Sequence, residues 1–432
     1  MILLYRRRWG LFYLPVLLAA VLAIWACAKW LLPLPPRAVA IAIGVPQGGY
    51  AQAGERYRTE LERRGLTVEL VVSEGVGAQG PLQRLADPAA PVQAGFAHGL
   101  LADRGPEAPV QALAVVGRQA LWIFTQHSGI TQLAQLRGLR VAAGPQGGPI
   151  REVAQLVLAH AGVATPDVNW VATQGMTAAN DLLDGKVDAF ITIGSAEAPT
   201  VRLLTRSAGV QILGVARASA LATREPRLAP FVLPQGAIEL RGNVPPRDLT
   251  LLATNTHLLV RDTLHPALQR VLLDVATEVH SVPSFLQLQA EYPDFQTDFP
   301  LSPVARRHAQ GARPWLETLL PYWWAQFAAL MLFAVIPIVG VTLAALLLVP
   351  RLFSLRVDAA LAHFYGELKF LETEFDHLPS NPIAMRPLLQ RLDELEIAAA
   401  SMDLPDRFAD RWYTLREHLG AARERLISLR GR

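Results

Sequence analysis

Two long stretches without a charged side chain constrain this chain more than anything else in it. Residues Leu11 to Ala28 are uncharged, and the apolar run resumes after Lys29 with Trp30 to Leu32. A helix rising about 1.5 Å per residue crosses a hydrocarbon core of about 30 Å over such a length, while the Lys29 stem reaches the headgroups. The second stretch, Ala325 to Val349, is entered through Tyr322, Trp323 and Trp324, side chains suited to a membrane interface. Pro337 and Gly340 fall mid-span and predict a kink there. These two runs explain why hydrophobic residues reach 51% and charged residues only 18%. That composition excludes a disordered chain.

Charge placement predicts the topology. Arg6, Arg7 and Arg8 precede the first span, and Arg351 and Arg356 follow the second. The positive-inside rule puts both ends in the cytoplasm and exports the middle, with Lys29 and Arg37 as weak opponents. A cleaved signal peptide is the rival reading of the first span. Ile24-Trp25-Ala26-Cys27 half resembles a lipoprotein cleavage box, although Trp25 suits the scissile bond poorly. Cys27 is the single cysteine, which excludes an internal disulfide framework and a Cys-rich metal site. With 40 basic against 37 acidic residues, a nucleic-acid role is not expected.

Between the spans, strands alternate with helices after the Pro33-Leu34-Pro35-Pro36 linker. Strand-like runs fall at Ala38 to Val45, Thr67 to Val72, Val92 to Ala97, Val110 to Val116, Ala120 to Thr125, Val141 to Ala143, Val168 to Ala172 and Val187 to Ile193. Ile150 to Ala161 carries Val153, Leu156, Val157 and Ala161 on one helical face. This alternation predicts an α/β domain with a parallel sheet covered on both faces.

Strand, glycine loop and helix recur around Gly44, Gly77 and Gly144. Ligands in such folds sit beyond the carboxyl ends of strands, where free amides attract anions. Each loop is equally a tight turn that any α/β protein needs. Gly75-Val76-Gly77-Ala78-Gln79-Gly80 spells a dinucleotide fingerprint, but Pro81 follows it directly and the next strand ends without an acidic residue. The ten histidines lack metal-ligand spacing, and neither a GxSxG elbow nor a Walker loop is present. The sequence therefore predicts no catalysis, no metal and no cofactor.

Several blocks stand in order along the chain: Gly44-x3-Gly48-Gly49-Tyr50-x3-Gly54, Asp87-Pro88 through Gly95-Phe96, Leu136 to Val141 and Gly144-Pro145-Gln146-Gly147. Leu182-Leu183-Asp184-Gly185-Lys186-Val187-Asp188-Ala189-Phe190 and Tyr365-Gly366-Glu367-Leu368 follow. Together these motifs resemble the TAXI family of TRAP-transporter solute receptors, in particular its members with a C-terminal membrane span. The first block is similar to the family's opening motif, Leu182 to Phe190 matches best, and Tyr365 to Leu368 resembles the tethered subgroup.

The resemblance implies a two-lobed, type-II periplasmic-binding-protein-like domain, flanked by two transmembrane helices and an α-helical tail. It implies a small, carboxylate-like organic anion between the lobes and inner-membrane permease subunits as partners, in a two-pass bacterial inner-membrane protein. The ligand-binding candidates are Gly48, Gly49, Tyr50, Gly77, Gln79, Gln146, Gly147, Gly148, Arg151, Thr177 and Ser195. Ordinary packing competes for Tyr50, a solvated helix face for Arg151 and a capping role for Thr177. The family's Gly-Ser-x-x-Asn loop reads Gly77-Ala78-Gln79-Gly80-Pro81 here, and its Gly-Ser-Gly-Thr loop reads Gly147-Gly148-Pro149-Ile150. Each hydrogen bond so lost costs about 1.5–3 kcal/mol of anion affinity. The alternative is therefore a ligand-degenerate scaffold or sensor that couples the exported domain to a cytoplasmic partner.

The expected organisation is a cytoplasmic start over 1–10, a span over 11–32, a linker over 33–37 and an exported domain over 38–320. Its first lobe takes 38–118 and 215–320, and its second 119–214. The second span covers 323–350 and the cytoplasmic tail 351–432. In the tail, Val357, Leu361, Phe364, Leu368 and Leu371 repeat every four and three residues, as do Phe408, Trp412, Leu415, Leu419 and Ala422. That pattern predicts a helical hairpin or three-helix unit, with self-association through a coiled coil as the alternative.

Overall fold

The apolar run Ala38–Ile43 forms strand β1, buried at every residue after Ala38, as suits a strand with parallel neighbours on both sides. Those neighbours are β2 (Thr67–Val72) and β3 (Ala94–His98). In the computed structural model, the described residues are 2–44, 49–72, 79–104, 110–282, 291–377, 382–402, 404 and 408–430. They divide into two units: Leu34–Gln326, and Met1–Pro33 with Phe327–Arg432.

In the first unit the remaining strands are β4 (Val110–Thr125), β5 (Arg140–Ala142), β6 (Asn169–Val171), β7 (Ala189–Gly194), β8 (Gln211–Ile212), β9 (Ala229–Leu233) and β10 (Leu249–Arg261). Their order is β2-β1-β3-β10-β4-β7-β5-β6, with β8 beside β4 and β9 beside β10. The sheet is mixed rather than parallel. β10 runs antiparallel to both β3 and β4, and β4 runs antiparallel to β7. Alternating strands and helices specify only the parallel outer parts, β2-β1-β3 and β7-β5-β6. The expected break between Val116 and Ala120 is absent, because β4 is one strand of 16 residues. The two long strands pass from one lobe into the other, giving a two-lobed α/β arrangement on one mixed sheet.

Each lobe buries apolar side chains on both faces of its part of the sheet. On one face of the first lobe, helices α2 (Gly49–Arg63) and α8 (Pro266–His280) bring Tyr57, Leu61, Leu268 and Leu272 onto Ile41, Phe96 and Leu258. Helix α3 (Gln79–Ala86) places Leu82 and Leu85 on the other. In the second lobe, α4 (Pro149–His160) and α7 (Ala218–Arg224) cover one face. Helices α5 (Gly175–Leu183) and α6 (Pro199–Arg206) cover its opposite face. Val215, Ala218, Leu221 and Leu252 share a core with Val141 and Ile191, so the segment from Val215 to Leu252 packs with the second lobe. The expected return to the first lobe at 215 is corrected accordingly. Two further helices, α9 (Pro303–Ala309) and α10 (Trp315–Leu319), lead out of the domain.

The second unit is helical. Helix α1 (Ile2–Ala26) ends in a π-helical turn at Cys27–Leu31. Helix α11 (Tyr322–Leu330) passes through a second such turn, Met331–Val335, into α12 (Ile336–His377). Tyr13–Leu31 and the helix over Tyr322–Glu374 are each long and apolar enough to cross a membrane. The irregular turn stands just before Pro337, whose ring lacks an N–H and collides with the carbonyl four residues back in a regular α-helix. Widening the helix there accommodates it.

Helices α13 (Pro382–Ala400) and α14 (Ala409–Arg430) fold against the end of α12. Leu361 and Leu371 share a core with Leu392, Phe408, Leu415 and Leu419. The Arg423 guanidinium donates to Asp393 at 2.5 Å and to Glu396 at 2.8 Å, joining α14 to α13. The two heptad seams therefore meet inside one chain, as a three-helix unit.

Candidate functional site

A cavity of about 320 Å³ opens where the lobes meet. Helix α2 lines it with Gly49, Gln52, Ala53 and Arg56, spaced three and four residues apart on one helical face. The middle of β4 adds Val116, Gly117, Arg118 and Gln119, and β10 adds Thr256. The end of α8 supplies His280, while the loop after β7 supplies Ser195 and Glu197 from the second lobe.

Tyr50 is held at the wall by stacking on Phe96, with ring centroids 5.9 Å apart. Tyr57 meets the same phenyl ring edge-on at 5.3 Å. The Tyr50 hydroxyl is buried, with the Gln119 side chain as a polar neighbour. Burial raises its pKa, and the Gln119 amide beside it offsets that only in part. The Thr256 hydroxyl is buried without a hydrogen-bond partner among the described residues. A buried polar group therefore borders the cavity with its hydrogen bond unspent, and a bound solute or water would satisfy it.

The charges are arranged by lobe. Arg118 donates to Glu291 at 3.0 Å, both side chains about a quarter exposed. Arg56 has no ion-pair partner among the described residues. Its charge bears on His280, which burial first and Arg56 second push down to about 4. Glu197 is the carboxylate among the lining side chains.

The histidine His98 ends β3 directly opposite Thr256 in the strand register. Both its ring nitrogens are buried without partners. Burial, and then the nearness of His257, push His98 down to about 4. His257 Nε2 accepts from the Asp298 backbone N–H at 3.1 Å. Burial holds this ring at about 4 as well, against the raising effect of its hydrogen bond to Ala97.

Of the residues expected from sequence, Gly49, Tyr50 and Ser195 line this cavity. Gly48 and Gly77 lie outside the described residues, and of Gln79 only the backbone, opening α3, is described. Gln146, Gly147, Gly148, Arg151 and Thr177 are not in the lining. The reason is topological: their loops follow β5 and β6, which lie beyond β7 from the crossing strands. Gly148 caps α4, and Thr177 is exposed near the start of α5. Arg151 stacks over Trp170 at 4.3 Å and donates to the Gly144 carbonyl at 3.3 Å. Sequence reasoning missed Arg56, Arg118, Gln119, Glu197, Thr256 and His280. Only the polar interruption Gly117-Arg118-Gln119 in an otherwise apolar strand could have pointed to the place.

Residues 97–276 match the NMT1-like family. That segment runs from β3 into α8 and includes Arg118, Ser195 and Glu197. No curated protein matches the sequence. Among solved structures, the chain is similar to the periplasmic aliphatic sulphonate binding protein SsuA from Escherichia coli. There the identity is 17%, over 57% of this chain and 69% of that one, with a TM-score of 0.38. The alkanesulfonate-binding protein SsuA from Xanthomonas axonopodis pv. citri, bound to MOPS, is 15% identical over 57% and 73%, with a TM-score of 0.39. An ancestral arginine-binding protein bound to arginine is 15% identical over 56% and 92%, with a TM-score of 0.37. Among the described residues no group of three or more His, Cys, Asp or Glu side chains is placed to hold a metal ion.

Proposed function

We propose that this chain is a membrane-tethered, TAXI-type solute receptor, non-enzymatic, that holds a small organic anion between its lobes and presents it to an inner-membrane TRAP-type permease. In this reading both termini are cytoplasmic and the two-lobed domain is exported. The observation that carries it is the lobe-junction cavity, with Arg56 on its wall and the buried, unpartnered Thr256 hydroxyl at its edge. Ligand touching both walls stabilises the closed arrangement, and hinge motion along β4 and β10 is the means.

The test is a thermal-shift screen of the full chain against C4-dicarboxylates, glutamate and other organic acids. A ligand at about a hundred times its Kd adds about 2.7 kcal/mol of stability. Stabilisation that Arg56→Ala removes supports the receptor; silence across the panel overturns it. A second reading, a scaffold or sensor, is favoured by the three-helix unit with its own core, which a simple feeder of a permease does not need. Co-purification with a permease subunit after deletion of 351–432 argues against it.

A further inference from the structure

The second lobe carries another cavity, away from the lobe junction, between α4, α7 and the turn at Thr131–Ala134, with a volume of about 660 Å³. Its floor is apolar, formed by the buried Leu133, Val157 and Leu221. Its rim carries Arg217, Arg224 and His160, all exposed, and no lining side chain is a carboxylate. Glu225, next to Arg224 in the chain, is engaged by Arg227 at 2.7 Å. His160 Nδ1 donates to the Leu156 carbonyl at 2.8 Å, which leaves Nε2 for another partner.

The backbone supplies an independent observation. Among the described residues, positive φ is taken by ten glycines, by Asn243 and by Arg217 at 62°. Asparagine enters this region readily, whereas a long side chain pays steric strain there. Glycine would remove the strain at Arg217, so this position holds a costly backbone conformation. The strained position lies at the rim of this cavity, where Arg217 and Arg224 stand at the two ends of α7.

We propose that this cavity is a second binding site, for an organic anion with an apolar body, such as an aryl or alkyl carboxylate. The body fills the Leu133–Val157–Leu221 floor, and the anionic group lies between Arg217 and Arg224. The size falls within the range of small-molecule sites, and the charges sit where such a ligand's head emerges into water. The site stands apart from the lobe junction, so it does not depend on the transport reading.

The test is photo-crosslinking of the full-length protein in detergent with 4-benzoylbenzoate, followed by peptide mapping. Saturable labelling of 131–134, 157–162 or 214–224 is expected. Arg217→Glu with Arg224→Glu reduces it by about tenfold or more, while Arg56→Ala, at the lobe junction, leaves it unchanged. Arg217→Gly raises the melting temperature and weakens labelling together. The neutral analogue 4-benzoylbenzamide labels less. Labelling that persists in the double glutamate variant, that falls only in Arg56→Ala, or that is equal for the neutral analogue overturns the proposal.

Discussion

Gly49 of the first lobe and Ser195 of the second face each other so closely that a β-carbon on Gly49 would stand 3.7 Å from the Ser195 hydroxyl oxygen. The lobes are therefore within van der Waals reach at this point, and Gly49 sets the gap. Gly49→Ala adds an atom at ordinary contact distance and is expected to leave the melting temperature unchanged. Gly49→Leu places a branched chain against Ser195 and holds the lobes apart. Its expected effect is a weaker response to any stabilising solute, by about tenfold in apparent Kd. Titration of the two variants by thermal shift checks this.

Arg56 and Arg118 border one cavity but differ in attachment. Arg118 has Glu291 as a partner at 3.0 Å, so Arg118→Ala is expected to lower stability by about 1 kcal/mol, in the range of a partly screened ion pair. Arg56→Ala removes a cation with no such partner among the described residues and leaves stability within about 0.5 kcal/mol. Urea unfolding measures both. Equal destabilisation by the two would refute the assignment of Arg56 to a solute rather than to the fold.

Acid should unfold the Leu34–Gln326 unit through its buried histidines. His98 and His257 are held at about 4 and are essentially inaccessible. Their neutral forms are favoured in the folded state, so the unfolded chain binds more protons below its ordinary histidine pKa of about 6.5. Stability is complete above that value and falls as pH drops from about 6.5 towards 4, each histidine removing up to about 3 kcal/mol. His98→Met replaces an unpartnered imidazole with an apolar side chain and is expected to flatten the decline. Melting temperatures of both proteins between pH 7 and pH 4 decide it, and parallel curves would sink the idea.

The tail should respond to its own core. Leu371, Leu392 and Leu415 are fully buried together, and Leu392→Ala is expected to cost about 2–5 kcal/mol. Limited proteolysis should then cut within 382–430 while the Leu34–Gln326 unit stays intact. Loss of both units at once would contradict their separate cores.

How much of this was readable beforehand depends on the range of the interactions involved. β1 and β2 follow from local apolar runs, and the strand, glycine and helix pattern pointed to Gly49 and Tyr50, which line the lobe-junction cavity. The single strand β4 was not readable. Gly117, Arg118 and Gln119 look like a turn until β10 is known to pair along their length. Strand direction has no local signal either, since an antiparallel insertion between β3 and β4 arrives from residues 249–261. Arg56 looks like any solvated helix residue until His280, more than two hundred positions later, closes the wall beside it. Arg151 was drawn the other way by Trp170, whose indole face attracts the guanidinium.

Helix α12 carries a mechanical consequence. Its 42 residues extend about 63 Å without a break, from the apolar stretch into the three-helix unit. A shaft of that kind transmits torque: a rotation of the apolar segment about its own axis must turn the buried faces of Leu361 and Leu371, and with them the packing of Leu392 and Leu415. The bundle is geared to the apolar segment rather than tied to it by a slack cord.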